Sequence, residues 1–292
     1  MLTAYTFPGQ GAQRAGMLGR LPQDAETRAR VFEAEAILRQ PLWSLDSSEA
    51  LQDTRNVQLA LLLSGVTWGE YMVRRTGAPD YVLGLSIGAY SAAVLAGSLQ
   101  FSDAVRLVDF RGRLMQQAYP SGYGMMALTG PPQSEVEKAV LGQRERGALV
   151  YLANLNSDTR FVLAGEIAAL QDTARVVRSR IPCSEKLLDV AVPSHCELLT
   201  AQADELEAAF RSVDINRPHS KYVSASSARV LFTPEAIRQD LARNMCSQMR
   251  WHESSLMLVE RGVQQVIETP PGVTLTSLFR RVLPDGICRS AN

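Results

Sequence analysis

Residues 81–94 read YVLGLSIGAYSAAV: an apolar triplet, a serine between two glycines, then a run of small residues. Tyr81 to Leu83 has the content of a short buried strand, and Ile87 to Ala96 reads as a helix of small side chains. Gly84-Leu85-Ser86-Ile87-Gly88 thus sits in the strand–turn–helix setting in which a G-x-S-x-G pentapeptide presents a nucleophilic serine. Side chains at 84 and 88 would collide across so tight a bend. A helix beginning at Ile87 would aim free N–H groups at charge developing near Ser86. The pentapeptide alone is a weak signal, and a structural serine at a helix start is the plainer alternative.

The chain on either side alternates between strands and helices. Leu2 to Phe7 reads as a buried strand closed by Pro8-Gly9, followed by a glycine-rich turn and a charge-rich helical region from Asp24 to Leu38. Val57 to Arg75 keeps helical periodicity with a nearly continuous apolar face, the mark of a core helix. Phe101 to Gln117 is amphipathic, with Ala104, Leu107, Val108 and Leu114 set to face a core and arginines between them. Glu197 to Phe210 and Trp251 to Glu260 read as helices. Lys221 to Ser224 and Gln265 to Glu268 read as strands returning to the first layer. Such alternation predicts an α/β sheet with helices on both faces.

From Gly122 to about Ala191 the rhythm changes. Met125 to Leu128, Leu149 to Asn154, Phe161 to Ala164 and Lys186 to Val190 read as strands, with helices at Ser134 to Leu141 and Ile167 to Arg178. The β-α-β-β-α-β order is that of the split ferredoxin-like unit, which predicts a small separate subdomain.

At 292 residues and 46% hydrophobic, the chain can bury a full core. Thirty basic residues balance thirty acidic ones, so charge gives no pull toward nucleic acid or an anionic membrane. Cys183, Cys196, Cys246 and Cys288 show no C-x-x-C spacing and no histidine in ligand register, so neither a metal site nor a disulfide framework is expected. The N-terminus lacks the pattern of a signal peptide, and the longest apolar stretch, near Leu59 to Val66, is too short to span a bilayer. A reduced, cytoplasmic protein is the expectation. The GQGAQ loop (9–13) fails as a dinucleotide fingerprint because Arg14 stands where glycine is required. It fails as a P-loop because Met17, not lysine, follows Gly16.

A nucleophilic serine needs a base, and the chain has three histidines. His219, in the polar stretch NRPHSK, reads as solvated. His252 follows Trp251 at a helix start, where packing or capping accounts for it. His195, in VAVPSHCELL, lies where the chain re-enters the main unit; by itself it is as readily structural as catalytic.

Six stretches together resemble the malonyl-CoA:acyl-carrier-protein transacylase family: FPGQGAQ (7–13), GLSIGAYSAAVLAG (84–97), RLVDFRGRLMQQA (106–118), NLNSDTRFVLAG (154–165), VPSHCELL (192–199) and ETPPGVTLTSL (268–278). They fall in the family's order and spacing. The resemblance implies an α/β-hydrolase-like core with a parallel sheet over residues 1–121 and 192–292, and a ferredoxin-like insert over 122–191. It also implies roles: Ser86 as acylated nucleophile, His195 as its general base, the amides of Gln10 and Ile87 as oxyanion hole, and Arg111 as the clamp on the malonyl carboxylate. A planar guanidinium suits that last role, because it can pair with a carboxylate through two parallel bonds. The implied partners are malonyl-CoA, as substrate, and an acyl carrier protein; no metal or cofactor is implied.

Two departures narrow the resemblance. Leu85 and Ala89 stand where the family usually has histidine and glutamate, and TPPG (269–272) replaces its usual G-P-G. Both are similar to the epsilon subunit of a biotin-independent malonate decarboxylase, whose carrier bears a dephospho-CoA-derived arm and whose other subunits would then be partners. The alternatives are a malonyl transferase of fatty-acid or polyketide synthesis and a serine thioesterase. Arg250, before Trp251, falls where many relatives have a glutamine near the base, and its role is left open.

Overall fold

The computed structural model describes residues 1–119, 121–190 and 192–291. Ala191, the last residue of the expected insert, lies outside them, as do Pro120 and Asn292 of the expected larger unit. The chain begins with β1 (Leu2–Phe7), α1 (Ala25–Leu38), α2 (Thr54–Thr76), β2 (Tyr81–Gly84), α3 (Gly88–Leu95) and α4 (Phe101–Ala118). It continues with β3 (Tyr123–Thr129), α5 (Gln133–Arg144), β4 (Val150–Ser157), β5 (Arg160–Glu166), α6 (Ile167–Arg180) and β6 (Ser184–Leu187). The last part holds α7 (Thr200–Ala209), β7 (Lys221–Ser224), β8 (Arg229–Leu231), α8 (Pro234–Arg243), α9 (Trp251–Glu260), β9 (Val263–Glu268), α10 (Thr274–Val282) and β10 (Ile287–Ser290).

One sheet runs β10-β9-β1-β2-β7-β8, parallel throughout except for β8, which turns back antiparallel on β7. Strand periodicity loads both faces. Tyr5, Phe7 and Val82 join the core built with α2, α3 and α4. Ala4, Tyr81 and Leu83 point the other way, into a second core with Trp251, Leu258, Leu275 and Phe279. A parallel sheet needs such double cover, and the near-continuous apolar runs of β1 and β2 are its signature.

The second sheet, β4-β5-β3-β6, is antiparallel and carries α5 and α6. Leu128, Val136, Leu163, Leu170 and Val177 give it a core of its own. Its last strand differs from expectation: pairing covers Ser184–Leu187, not Lys186 to Val190. All four residues are exposed on this edge strand, so no alternation marks it. Leu188 and Val190, which suggest strand in the sequence, line a cleft instead. The expected helix from Glu197 begins as a 3-10 turn, with α7 proper starting at Thr200.

Strand register in the large sheet brings two loops together. Phe7 pairs with Gly84, so β1 and β2 end level, side by side. Three residues beyond each end stand Gln10 and Ile87. Open α/β sheets bind their ligands at this carboxyl edge.

Candidate active site

Ser86 adopts φ +55°, a left-handed backbone that costs a non-glycine residue roughly 1–2 kcal/mol. The bend is held by the Gly88 N–H donating to the Leu85 carbonyl at 2.9 Å and the Ala89 N–H to the Ser86 carbonyl at 3.0 Å. A Cβ on Gly84 would stand 2.1 Å from the Gly88 carbonyl carbon, and one on Gly88 2.2 Å from the Phe7 oxygen. Only hydrogen fits at either place, so both glycines of the pentapeptide are sterically required. Among the described residues, neither the Gln10 amide nor the Ile87 amide donates to a protein acceptor.

His195 is buried and also left-handed, at φ +65°. Its N–H donates to the Met245 carbonyl at 2.7 Å, and its Nδ1 lies 2.7 Å from the Asn244 carbonyl oxygen. A carbonyl can only accept, so Nδ1 carries the proton and Nε2 keeps the lone pair a base requires. Burial pushes the imidazole down to about 4, with the nearby Arg111 cation adding to the effect and the Asn244 bond opposing it. Ser86, Gln10 and His195 share the walls of one cleft of about 60 Å³. Val162, Leu188 and Val190, from the smaller sheet and the segment after it, close its other side.

Arg111 reaches the same place from α4. It lies one helical turn beyond Leu107 and Val108, on the apolar face, and only 1% of it is exposed. Its guanidinium donates to Gln58 Oε1 at 2.5 Å and Asn244 Oδ1 at 3.2 Å, and lies 3.5 Å from Ser86 Oγ. Nε is buried without an acceptor. Burial pulls its pKa down, and no carboxylate is paired with it among the described residues. An interior cation flanked only by neutral amides and hydroxyls is short of one anion.

The structure therefore brings Ser86, His195 and Gln10 to one cleft, with Arg111 behind it at 3.5 Å from the Ser86 hydroxyl and Ile87 next in the chain after Ser86. It also supplies two residues that sequence reasoning does not find. Gln58 orients Arg111 from α2. Asn244 does more: its carbonyl accepts from His195, its Oδ1 accepts from Arg111, and its Nδ2 donates to the Ser86 carbonyl at 3.3 Å. Arg250 takes no part in this network. Its side chain pairs with Glu253 at 2.5 Å beside α9, and its N–H bonds the Ala225 carbonyl. The His195 Nδ1 contact comes from the Asn244 carbonyl instead. His219 is exposed and His252 half-buried, outside this cleft.

The model of the family described as "Acyl transferase domain" matches residues 4–287. The malonyl CoA-acyl carrier protein transacylase of Escherichia coli (strain K12) is 34% identical over 286 residues, covering 96% of this chain and 92% of that protein. The crystal structure of FabD from Acinetobacter baumannii superimposes with a TM-score of 0.92 at 33% identity, covering 99% of this chain and 92% of that one. A type II PKS acyl-carrier protein in complex with its malonyl-transacylase (PlMCAT:AntF) gives a TM-score of 0.91 at 33% identity, covering 99% and 94%.

Proposed function

Because the chain belongs to the acyl transferase domain family, we propose that it carries a malonyl group from malonyl-CoA to the thiol of an acyl carrier protein through an ester on Ser86. The observation that carries this reading is Arg111: a buried cation without a protein anion, 3.5 Å from the Ser86 hydroxyl. A malonyl thioester has a carboxylate close to the carbon under attack, and would supply that anion where the acyl group must lie.

In the first half-reaction His195 Nε2 takes the Ser86 Oγ proton as Oγ attacks the thioester carbon. The amides of Gln10 and Ile87 hold the oxyanion. The C–S bond then breaks, and the departing thiolate collects the proton from the imidazolium. In the second, the carrier's thiol gives its proton to His195, attacks the ester, and returns the malonyl group to sulfur while Oγ regains its hydrogen. Every step is a proton or acyl transfer among these groups. Water could resolve the same ester, as in a thioesterase; the apolar wall of Val162, Leu188 and Val190 favours a thiol by limiting water. In this reading residues 1–121 and 192–292 form the catalytic unit, and 122–191 is the inserted subdomain that supplies that wall.

The names of the relatives, including a polyketide-type complex, favour a malonyl transferase of fatty-acid or polyketide synthesis. The malonate decarboxylase epsilon subunit is the second reading, supported by Leu85, Ala89 and the TPPG turn. Arg111→Ala tests the shared part. Acylation of Ser86 by malonyl-CoA, followed by intact mass, should slow on the order of 100-fold, while acetyl-CoA should react no more slowly than before. An undiminished preference for malonyl in that variant overturns the reading.

A further inference from the structure

Asn154 belongs to none of the roles above, yet it lines the cleft with Ser86 and His195. The sheet breaks register there: Leu152 pairs with Leu163 but Asn154 with Val162, leaving Ala153 as an extra residue. Such a bulge re-aims the side chain beside it and is frequent next to active sites. The main chain is then pinned to the large unit, the Leu155 N–H donating to the Met249 carbonyl and the Met249 N–H to the Ala153 carbonyl, each at 2.8 Å. The residue so placed keeps only 7% relative exposure, and its Oδ1 has no hydrogen-bond partner. Its Nδ2 donates to no acceptor among the described residues. A carboxamide held this firmly, its buried oxygen without a partner and its nitrogen without a protein acceptor, is placed to take a ligand that offers both a donor and an acceptor.

The proposed reaction already assigns the other polar parts of a malonyl thioester: carboxylate to Arg111, carbonyl oxygen to the two amides. What is left is the thiol arm. Beyond its two methylenes, the first polar group of a pantetheine is a secondary amide, and Val162, Leu188 and Val190 make the cleft wall around Asn154 apolar. We infer that Asn154 binds that amide, donating from its carboxamide nitrogen to the arm's carbonyl and accepting the arm's N–H on its oxygen. The same group occurs on CoA and on a carrier's prosthetic arm, so one side chain would serve both half-reactions and select against thiols without the amide. This rests on the transferase reading.

The test compares two malonyl donors, malonyl-CoA and the S-ethyl thioester of malonate, on wild type, Asn154→Ala and Asn154→Leu. Removing the carboxamide should lower kcat/KM for Ser86 acylation about tenfold with malonyl-CoA and leave the S-ethyl ester unchanged. Transfer from the malonylated enzyme to pantetheine should fall by a similar factor, and transfer to ethanethiol should not. Equal losses with both donors, or none with either, overturn the inference and leave the transferase reading standing. The S-ethyl rate also reports whether each variant is folded. A wild-type enzyme that takes malonyl from neither donor overturns both.

Discussion

At the scale of single residues, the site is built from conformations and protonation states that the rest of the fold enforces. Ser86 and His195 are two of the few non-glycine residues with positive φ, and each is fixed by main-chain hydrogen bonds rather than by its own preference. The imidazole is oriented by a carbonyl where many serine enzymes use a carboxylate, so no buried negative charge steadies its protonated form. Burial makes the cationic form costly and lowers its pKa from 6.5 to about 4. The neutral base therefore prevails above that value. The acid limb of kcat/KM for acylation should fall near pH 4, well below the 6.5 of an ordinary histidine; a limb at the ordinary value would mean that the base is more solvated than this geometry has it. Ser86 stands out in the sequence through its local G-x-S-x-G pattern, and His195 and Arg111 only through the family resemblance of the stretches around them. Gln58 and Asn244 do not stand out. Asn244 meets its partners 49 to 158 positions away, and nothing in NMCSQ announces it.

At the scale of elements, legibility follows burial. The strands at the sheet centre and the long helix α2 carry strong apolar periodicity, and it marks them in the sequence. Edge strands lack it: β8 and β10 have three and four residues, and β6 buries none of its own. Helix α10 escapes because its nine residues give too short a window, although Leu275, Leu278 and Phe279 are buried. Helix α8 has a readable start, Thr233 capping the Ala236 N–H with Pro234 in the first turn. The elbow between β2 and α3 shows how little room these junctions leave. Gly88→Ala would drive a methyl to 2.2 Å from the Phe7 oxygen, so urea unfolding should show a loss of roughly 3 kcal/mol. A variant of unchanged stability would mean that β1 and α3 can part there without cost.

At the scale of the molecule, the cleft lies where the two sheets meet, and each contributes what the other lacks. In the proposed reaction the large unit supplies nucleophile, base and cation, while the small sheet and the segment after it supply apolar cover and Asn154. In that proposed reaction a carrier threads its arm between them, and the length of that arm separates the two biological readings. Offered carriers with a phosphopantetheine arm and with a longer dephospho-CoA-type arm, a fatty-acid or polyketide enzyme should load the first faster. A decarboxylase subunit should prefer the second. Initial rates of malonyl transfer measured side by side decide between them.

The lone guanidinium in the interior has a thermal consequence. Until an anion arrives, the resting protein carries an uncompensated charge, so malonylation should toughen it: by calorimetry the ester form should melt roughly 5 °C above the free enzyme. Acetylation adds a similar bond but no charge, and should leave the melting point nearly where it was. Heat tolerance would then report which acyl group the enzyme is holding.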